Sequence, residues 1–477
     1  MSLQTPRDGR RPRACGCLAL LLTLFTLVTP AAQVSGQAAA APSVVAFVNV
    51  TVVPMDRERL LEAQTVIVRG GLVAEIGPGE RTKVPAGALR VDGRGKYLMP
   101  GLADMHVHLL PGAGAPDEPV TQQLQLLIAN GVTTVRNMIG RPEHLALRDT
   151  VAKGELLGPT IFTAGPPLLG NNTPTPEAGA RAVAAQKGAG YDLIKVHEAL
   201  SPETYAAVAA SARRAGIPIA GHVTASVGLS RALAARQSSI EHLDGYLRAA
   251  VPEDSFVPAP PGQLLLGPVL NYVDEKRLAA LARATREAGV WNTPTLALFK
   301  LIVSDDKADD LLKWPEVQYV PAAMRAAFAR QKQGTANIPA PPGERQRFTA
   351  LRNATLRELR GAGAKLLVGS DSPQFFLVPG FATHRELQAL VDAGLTPYQA
   401  IEAATRNPAE YFAEFMNVPR DFGTVEVGKR ADLLLLEGNP LQSVANLSRR
   451  AGVMVRGRWL PEGDLRAMLD KIAVLNK

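Results

Sequence analysis

The sequence predicts an α/β protein built on a TIM (β/α)8 barrel, with a small β-sandwich domain assembled from both termini. Between residues 99 and 420, apolar strand candidates alternate with amphipathic helical stretches at least eight times. Such alternation favours a parallel sheet, and eight units favour a closed barrel. Strand-like runs flank this region on both sides, and 477 residues are enough for a barrel and a companion domain.

The strands outside the barrel come from two separate parts of the chain. Each run alternates or is continuously apolar, as expected for strands. We therefore expect residues 41–98 and 421–477 to form one discontinuous sandwich, with a short C-terminal tail, that acts as scaffold. The strand-like runs are residues 46–52, 65–69, 431–436 and 452–457.

Within the barrel region, several of the predicted strands end at or beside polar residues. Two helices also have clear start signals, because a capping hydroxyl precedes a proline at Ser201-Pro202 and Thr396-Pro397. These signals predict helices over residues 201–215 and 396–404. The predicted strands end near His108, Asn137, Ala164, Val196, His222, His242, Thr295 and Asp371.

Two histidines one residue apart, His106 and His108, lie at the end of the first barrel strand. Residues i and i+2 of a strand project to the same face, so both imidazoles can point at one metal ion. The alternative is a pair of hydrogen-bonded histidines with no ligand. His222 and His242 also follow short strands, which favours the metal site.

Lys195 and Asp371 occupy equivalent strand ends. A carboxylate there suits a metal, but burying a lysine ammonium is costly unless the group is paired or chemically altered. The alternative for Lys195 is a side chain that reaches from the strand end into solvent.

Taken together, these segments resemble the amidohydrolase superfamily, in particular its imidazolonepropionase-like and prolidase-like branch with a two-metal centre. They occur in the family's order and span roughly residues 44 to 460. The matching segments are 100–108 (Pro-Gly-Leu-Ala-Asp-Met-His-Val-His), 194–196 (Ile-Lys-Val), 221–223 (Gly-His-Val), 241–242 (Glu-His), 369–372 (Gly-Ser-Asp-Ser) and a block from 395 to 441.

The resemblance implies a ligand set and a mechanism. One divalent ion would be held by His106, His108 and Asp371, and a second by His222 and His242. Lys195, converted to a carbamate by CO2, would bridge the two ions. Zinc is the expected metal, since imidazoles and a carboxylate suit it. A hydroxide shared by the ions would attack the substrate, and the catalytic carboxylate Asp371 would carry its proton to the leaving nitrogen.

Four further residues are candidates for substrate binding. His197 lies two residues beyond Lys195, on the same face if the strand continues. Tyr246 either donates a hydrogen bond to the substrate or fills the core. Arg136 and His384 match family motifs, and His384 either lines the pocket or packs its helix.

Other positions modify this expectation. Asn137 stands where the family often has aspartate, and His144 is expected on a helix surface. Two long connections, residues 251–270 and 297–360, are candidates for pocket walls or for oligomer-facing decoration. The second combines apolar side chains with cations that would suit a substrate carboxylate: Leu298, Phe299, Leu301, Trp314, Arg325, Arg330 and Lys332.

The function predicted from these residues is metal-dependent hydrolysis of a carbon–nitrogen bond in a small amide-like or peptide substrate. One alternative is a metallo-dipeptidase of prolidase type. Another is a mononuclear enzyme of the deaminase or imidazolonepropionase type, favoured if Lys195 is unmodified. A non-catalytic scaffold would be marked by lost metal ligands, and the full set is present here.

The first forty residues resemble a secretory signal peptide and linker, since four arginines precede an apolar core at residues 18–28. Cleavage after Gly36 or Ala40 would give a secreted or periplasmic enzyme. The eleven-residue core is too short to span a bilayer, so stable membrane insertion is not expected. Cys15 and Cys17 would leave with the signal, and the mature chain would then have no disulfides.

Composition excludes several other classes of protein. Hydrophobic residues at 46% and charged residues at 20% indicate a folded globular chain rather than a disordered or polytopic membrane protein. The net charge of +8 falls to about +5 without the signal segment. Because no basic run is present, nucleic acid is not an expected partner. A homo-oligomer is compatible with the sequence.

Overall fold

The computed structural model describes residues 44–79, 81–109, 118–253, 268–338 and 340–477. The predicted signal peptide and both cleavage positions lie outside these ranges. Residues 42–477 group into one unit by their contacts, so the predicted division at residues 98 and 420 stays a prediction. None of the helices in the described ranges combines the length and the apolarity needed to cross a bilayer.

The described residues contain strands that fall into three sheets. They are β1 (Val44–Val52), β2 (Leu61–Arg69), β3 (Leu72–Pro78), β4 (Leu89–Asp92), β5 (Tyr97–Pro100), β6 (Leu102–Val107), β7 (Val132–Asn137), β8 (Thr160–Thr163), β9 (Ile194–Val196), β10 (Ile219–Gly221), β11 (Ser239–Glu241), β12 (Trp291–Thr293), β13 (Leu433–Leu436), β14 (Arg450–Val455) and β15 (Arg458–Pro461).

Helices separate most of the central strands. They are α1 (Glu118–Ala129), α2 (Pro142–Ala152), α3 (Pro176–Ala189), α4 (Pro202–Ala215), α5 (Gly228–Ala234), α6 (Tyr246–Ala249), α7 (Leu278–Ala288), α8 (Leu296–Val303), α9 (Ala308–Leu311), α10 (Ala322–Ala336), α11 (Glu344–Ala362), α12 (Phe381–Asp392), α13 (Pro397–Glu402), α14 (Arg406–Met416) and α15 (Glu462–Leu475). Short 3-10 turns cover Pro268–Tyr272, Glu275–Arg277, Pro315–Tyr319 and Val444–Ser448.

One mixed sheet joins strands from both ends of the chain. Its order is β15-β14-β13-β5-β1-β2-β3, with β4 paired to β1. The junction is the antiparallel pair β13–β5, in which Leu434 faces Met99. Phe47, Val68 and Leu433 contribute to the core on this sheet. The two termini therefore share one sheet, while the second layer of the predicted sandwich stays a prediction.

The central strands form two parallel sheets, β6-β7-β8 and β9-β10-β11-β12. Single parallel bridges continue the pairing beyond them: Ala164 with Leu193, Asn292 with Leu366, and Val107 with Ser372. Strands β6 to β12 end within two residues of the predicted positions. The eighth predicted strand is represented by the bridge at Leu366 and the backbone after it, because few of its residues keep a regular ladder.

The two predicted helix starts are confirmed. The hydroxyl of Ser201 accepts a hydrogen bond from the Thr204 N–H at the start of α4, and Thr396 does the same for Gln399 at α13. Helix α13 ends at Glu402, slightly earlier than expected. His144 corrects a prediction, since it is buried and its Nδ1 lies 2.9 Å from the Asn137 side-chain nitrogen.

All residues of β6, β7 and β11 are buried, including charged ones. Asp104, Arg136 and Glu241 have 0% exposure. Such groups are retained inside a protein only when they are paired or hydrogen-bonded. The polar interior between these strands is therefore an organised network, and it leads to the candidate site at the carboxyl ends of the strands.

Candidate metal centre

The core of the site is formed by His106, His108 and Asp371. The Oδ1 atom of Asp371 lies 3.1 Å from Nε2 of His108 and 3.4 Å from Nε2 of His106. Ligand atoms of these three residues all lie within 4.8 Å of one another. Two imidazoles and one carboxylate at such distances can coordinate a single divalent ion.

Backbone hydrogen bonds hold the two segments of this core together. The N–H of Asp371 donates to the carbonyl of His106 at 2.7 Å, and the N–H of His108 donates to Ser372 at 2.8 Å. The carboxylate of Asp104 accepts the N–H groups of both His106 and Ser370. Asp371 itself has a left-handed backbone with φ of 57°, a strained conformation that is typical of functional sites.

The remaining predicted ligands continue the cluster. The ring centroid of His242 lies 4.8 Å from that of His106 and 4.7 Å from that of His222. The Nζ atom of Lys195 lies 3.4 Å from Nε2 of His106. The structure thus brings all six predicted ligands into one continuous group. Lys195 is only 1% exposed, which contradicts the alternative of a lysine reaching into solvent.

Burial controls the protonation of the histidines. It lowers the pKa of His106 and His242 well below the usual range and that of His108 to about 3. These imidazoles are therefore neutral at pH 7, which is the form that binds metal ions. Burial also lowers the pKa of Lys195 and raises that of Asp371 to about 8.

The hydrogen bonding of Asp371 indicates whether a cation fits between the three residues. Among the described residues, its buried Oδ1 accepts no hydrogen bond, although the Nε2 atom of His108 lies 3.1 Å away. A buried carboxylate oxygen without a donor is costly. A divalent ion beside Oδ1 would remove that cost and would use the neutral nitrogens facing it. The residues present therefore fit a metal ion.

Three residues to which the sequence pattern assigned no role contact the histidines. Glu241 Oε2 lies 2.8 Å from Nδ1 of His106, and Asp244 Oδ2 lies 2.7 Å from Nδ1 of His222. The hydroxyl of Thr295 lies 2.8 Å from Nδ1 of His242. The sequence offered one clue to two of them, since Glu241 and Asp244 flank the candidate ligand His242.

Arg136 corrects a prediction, because it is placed as an internal residue and not as a substrate contact. Its side chain is 0% exposed and donates to the Met105 carbonyl, Ser239, Glu241 and Thr293. All these partners belong to strands β6, β11 and β12. A guanidinium enclosed in this way has no surface left for a substrate. Burial would raise the pKa of Glu241, but the charges of Arg136 and Lys195 lower it.

The other substrate candidates separate into one near the cluster and two in the packing. His197 is half-buried, and its ring centroid lies 4.5 Å from that of His222. The hydroxyl of Tyr246 is buried against Thr285 at 2.8 Å, which fits the core-filling alternative. His384 Nε2 lies 2.9 Å from the carbonyl of Asn130, which fits helix packing.

The long connection after β12 reaches the centre through α8 and α11. The ring of Phe299 lies 5.8 Å from that of His242, and the Arg352 guanidinium lies 3.8 Å above the Phe299 ring. Arg352 also donates to the carbonyl of His242 at 2.7 Å. These contacts place the connection against the metal centre.

Two of the cations expected to attract a substrate carboxylate instead donate to backbone carbonyls of the protein. Lys332 is 1% exposed and donates to the carbonyls of Leu301 and Ser304. Arg325 donates to the carbonyl of Asn476. That part of the prediction is corrected, because the carbonyls at the end of α8 require donors and the lysine supplies them.

Comparisons with known proteins agree with this arrangement. Residues 97–460 match the model of the amidohydrolase family. Adenine deaminase 3 of Rhizobium meliloti (strain 1021) is 25% identical over 415 residues, which cover 83% of this chain and 54% of the relative. The chain thus spans about half the length of that relative.

Solved structures are similar over nearly the whole chain. A Bifidobacterium longum protein described as a "putative prolidase" has a TM-score of 0.64 and 26% identity. The match covers 91% of this chain and 99% of that protein. The bottromycin amidohydrolase AH has a TM-score of 0.67 and 24% identity, covering 92% and 91%. Because the family model matches most of the sequence and includes the histidines and Asp371, this chain belongs to the amidohydrolase family.

Proposed function

We propose that the protein is a metal-dependent hydrolase that cleaves a carbon–nitrogen bond in a small amide-like substrate. The observation that carries this proposal is the buried Oδ1 of Asp371, which accepts no hydrogen bond from the described residues although neutral imidazoles face it. That arrangement suits a cation and a carboxylate that exchanges protons. When bound, divalent ions supply Lewis-acid activation of water and of the scissile carbonyl.

Two ions are proposed, with zinc as the expected metal. His106, His108 and Asp371 would hold one, while His222 and His242 would hold the other. Lys195 is buried and its Nζ lies 3.4 Å from Nε2 of His106, so an ammonium there would oppose the proposed cations. Burial lowers the pKa of Lys195, which favours the neutral amine form that can react with CO2.

Lys195 can form the carbamate with CO2, and water takes up the proton that is released. The lone pair of Nζ forms a bond to the carbon of CO2, the electron pair of one C=O π bond moves to its oxygen, and the nitrogen loses a proton to water. The product has two oxygens that share one negative charge, and each of them could hold one ion. The mononuclear alternative applies if Lys195 remains a free amine.

The side chains around the ions have separate tasks. Asp371 would accept a proton from the attacking water and pass it to the leaving nitrogen. His197 accepts the N–H of Glu198 at Nδ1, so a proton at Nε2 is free to donate to the substrate. Phe299 would form an apolar wall beside His242.

A second candidate function is that of a metallo-dipeptidase acting on prolyl or hydrophobic dipeptides. The support is the Bifidobacterium longum protein, which matches this chain at 26% identity over 91% of its length. We expect N-acyl amino acids and hydrophobic dipeptides to be better substrates than small uncharged cyclic amides.

We also propose that the central strands close into an eight-stranded barrel. Backbone hydrogen bonds run from Leu367 to Asn292 and from Met105 to Val368. With the bridge between Ala164 and Leu193, they support an eight-membered parallel barrel in which residues 366–372 take the eighth position.

Export through the N-terminal segment is likewise a proposal. Four arginines followed by the apolar core support it. Edman sequencing of the protein recovered from the periplasm or medium should begin after Gly36 or Ala40. An intact Met1 in all recovered protein would contradict export.

The function is tested by metal analysis together with a substrate panel. We expect two divalent ions per chain after incubation with zinc and bicarbonate, and hydrolysis within a panel of N-acyl amino acids, dipeptides and cyclic amides. Asp371→Asn should abolish turnover, whereas Tyr246→Phe, a change in the core, should retain it. At most one ion per chain would contradict the binuclear centre, and inactivity across the loaded panel would contradict the proposed reaction.

A further inference from the structure

A fully buried carboxylate lies directly behind the metal centre. Glu241 is 0% exposed, and its two oxygens have different partners. Oε1 accepts hydrogen bonds from Arg136, at 2.8 Å, and from Ser239. Oε2 faces Nδ1 of His106 at 2.8 Å. One oxygen is therefore held in place, and the other is directed at a candidate ligand.

Arg136 fixes the carboxylate by contacts to several strands. Its Nε donates to the Met105 carbonyl on β6 at 2.7 Å, and its terminal nitrogens donate to Ser239 on β11 and Thr293 on β12. Since Arg136 lies on β7, the pair Arg136–Glu241 is set by four strands. Removing either charge would leave the other buried without compensation, so the pair is unlike an exposed ion pair.

The contact with Glu241 determines the tautomer of His106. A carboxylate only accepts hydrogen bonds, so the proton of a neutral His106 must be on Nδ1. Its Nε2 then presents a lone pair toward the cluster, where Asp371 Oδ1 and Lys195 Nζ each lie 3.4 Å away. We propose that Glu241, anchored by Arg136, is a positioning residue that presents Nε2 of His106 to a metal ion.

This inference rests on the proposed metal centre and adds a prediction about which ion is affected. The Nδ1 atom of His242 lies 2.8 Å from the neutral hydroxyl of Thr295 and 3.8 Å from Oδ2 of Asp371, which is itself a candidate ligand. Asp244 beside His222 remains partly exposed. His106 is the ligand whose outer nitrogen meets a fully buried ion pair. Loss of Glu241 should therefore weaken the ion at His106, His108 and Asp371 more than the second ion.

Metal affinity provides the first test. Zinc competition against a colorimetric chelator should show Glu241→Gln weakening one ion about 10-fold to 100-fold, the usual effect of such outer contacts. The matched control is Tyr246→Phe, which removes another buried hydrogen bond but should change zinc affinity less than about twofold. Folding of each variant is checked by circular dichroism. If Glu241→Gln binds each of the two zinc ions with the same affinity as wild type does, the proposal is overturned.

The tautomer provides a second test that does not depend on whether Glu241→Gln folds. Wild-type protein labelled with 15N-histidine has seven histidines, and a His106→Asn spectrum identifies the resonance of His106. In metal-free protein, long-range 15N–1H spectra should show the Nδ1–H tautomer for this residue. The Nε2–H tautomer would overturn the inference.

The two proposals fail in distinguishable ways. If no panel substrate is hydrolysed while Glu241→Gln still weakens one zinc ion, the proposed reaction fails and the positioning role stands. If hydrolysis occurs but the tautomer and the zinc affinity are as in the overturning results, only the positioning role fails.

Discussion

Replacing Glu386 with alanine should loosen helix α8, which carries Phe299 beside the metal centre. Thr295 precedes this helix but gives it no side-chain cap. The carboxylate of Glu386, on α12, instead accepts the N–H of Leu296 at 2.9 Å and that of Ala297 at 2.7 Å. These two residues are 5% and 6% exposed, so water has little access to replace the carboxylate.

The magnitude follows from the two donors. Each buried N–H left without an acceptor costs about 1–3 kcal/mol, so Glu386→Ala should lower the free energy of unfolding by about 4 kcal/mol. Glu386→Gln keeps one acceptor oxygen. Burial raises the pKa of Glu386 to about 7, so the charged form is itself disfavoured in the folded chain. Below about pH 4.3, where Glu386 is protonated in both the folded and the unfolded state, the neutral amide should therefore cost only about 1 kcal/mol.

The same shift gives the pH dependence a definite sign. The pKa of an unfolded glutamate is about 4.3, whereas that of folded Glu386 is about 7. Between these values the folded state holds a proton that the unfolded state has lost. The stability from this group is thus complete below about pH 4.3 and is lost as the pH rises through 7. Relative to Glu386→Gln, wild type should lose on the order of 3 kcal/mol across that range.

Urea unfolding at several pH values and hydrogen exchange of α8 measure these effects. Glu203→Ala is the control, because Glu203 is an exposed acid in the first turn of α4 and should cost less than about 0.5 kcal/mol. We expect faster exchange across α8 in Glu386→Ala and little change in Glu386→Gln. Unchanged exchange and unfolding in Glu386→Ala would refute the capping argument.

Three further predictions concern the centre and the connection beside it. Lys195→Ala should lose one metal ion and at least about 100-fold in activity, with partial recovery in formate or acetate; full metal content by elemental analysis would contradict this. Lys332→Met should lower the free energy of unfolding by about 2–3 kcal/mol, because it leaves the carbonyls of Leu301 and Ser304 without a donor. Phe299→Ala should change the ranking of substrates by kcat/KM while zinc content stays at the wild-type value, and an unchanged ranking would remove Phe299 from the pocket wall.

The local parts of this protein were predictable from the sequence because short-range periodicity encodes local geometry. The two-residue spacing of His106 and His108 and the Ser201-Pro202 helix start are properties of adjacent residues, and the structure contains both. The ends of β6 to β12 were predicted within two residues for the same reason. Family motifs in order along the chain were enough to assign the amidohydrolase family.

The partners of the buried polar groups were decided only by the tertiary structure. Glu241 and His106 are 135 residues apart, and Glu386 and Leu296 are 90 residues apart, so no local pattern connects them. For the same reason the sequence did not predict the partners of Arg136 and Lys332. Both were expected near a substrate but are enclosed by the protein. A charged side chain can point to solvent or satisfy a distant carbonyl, and the choice depends on which strands and helices become neighbours. The tertiary structure therefore decided which groups lie behind the candidate metal centre, whereas the order of short motifs along the sequence was enough to name the six candidate ligands.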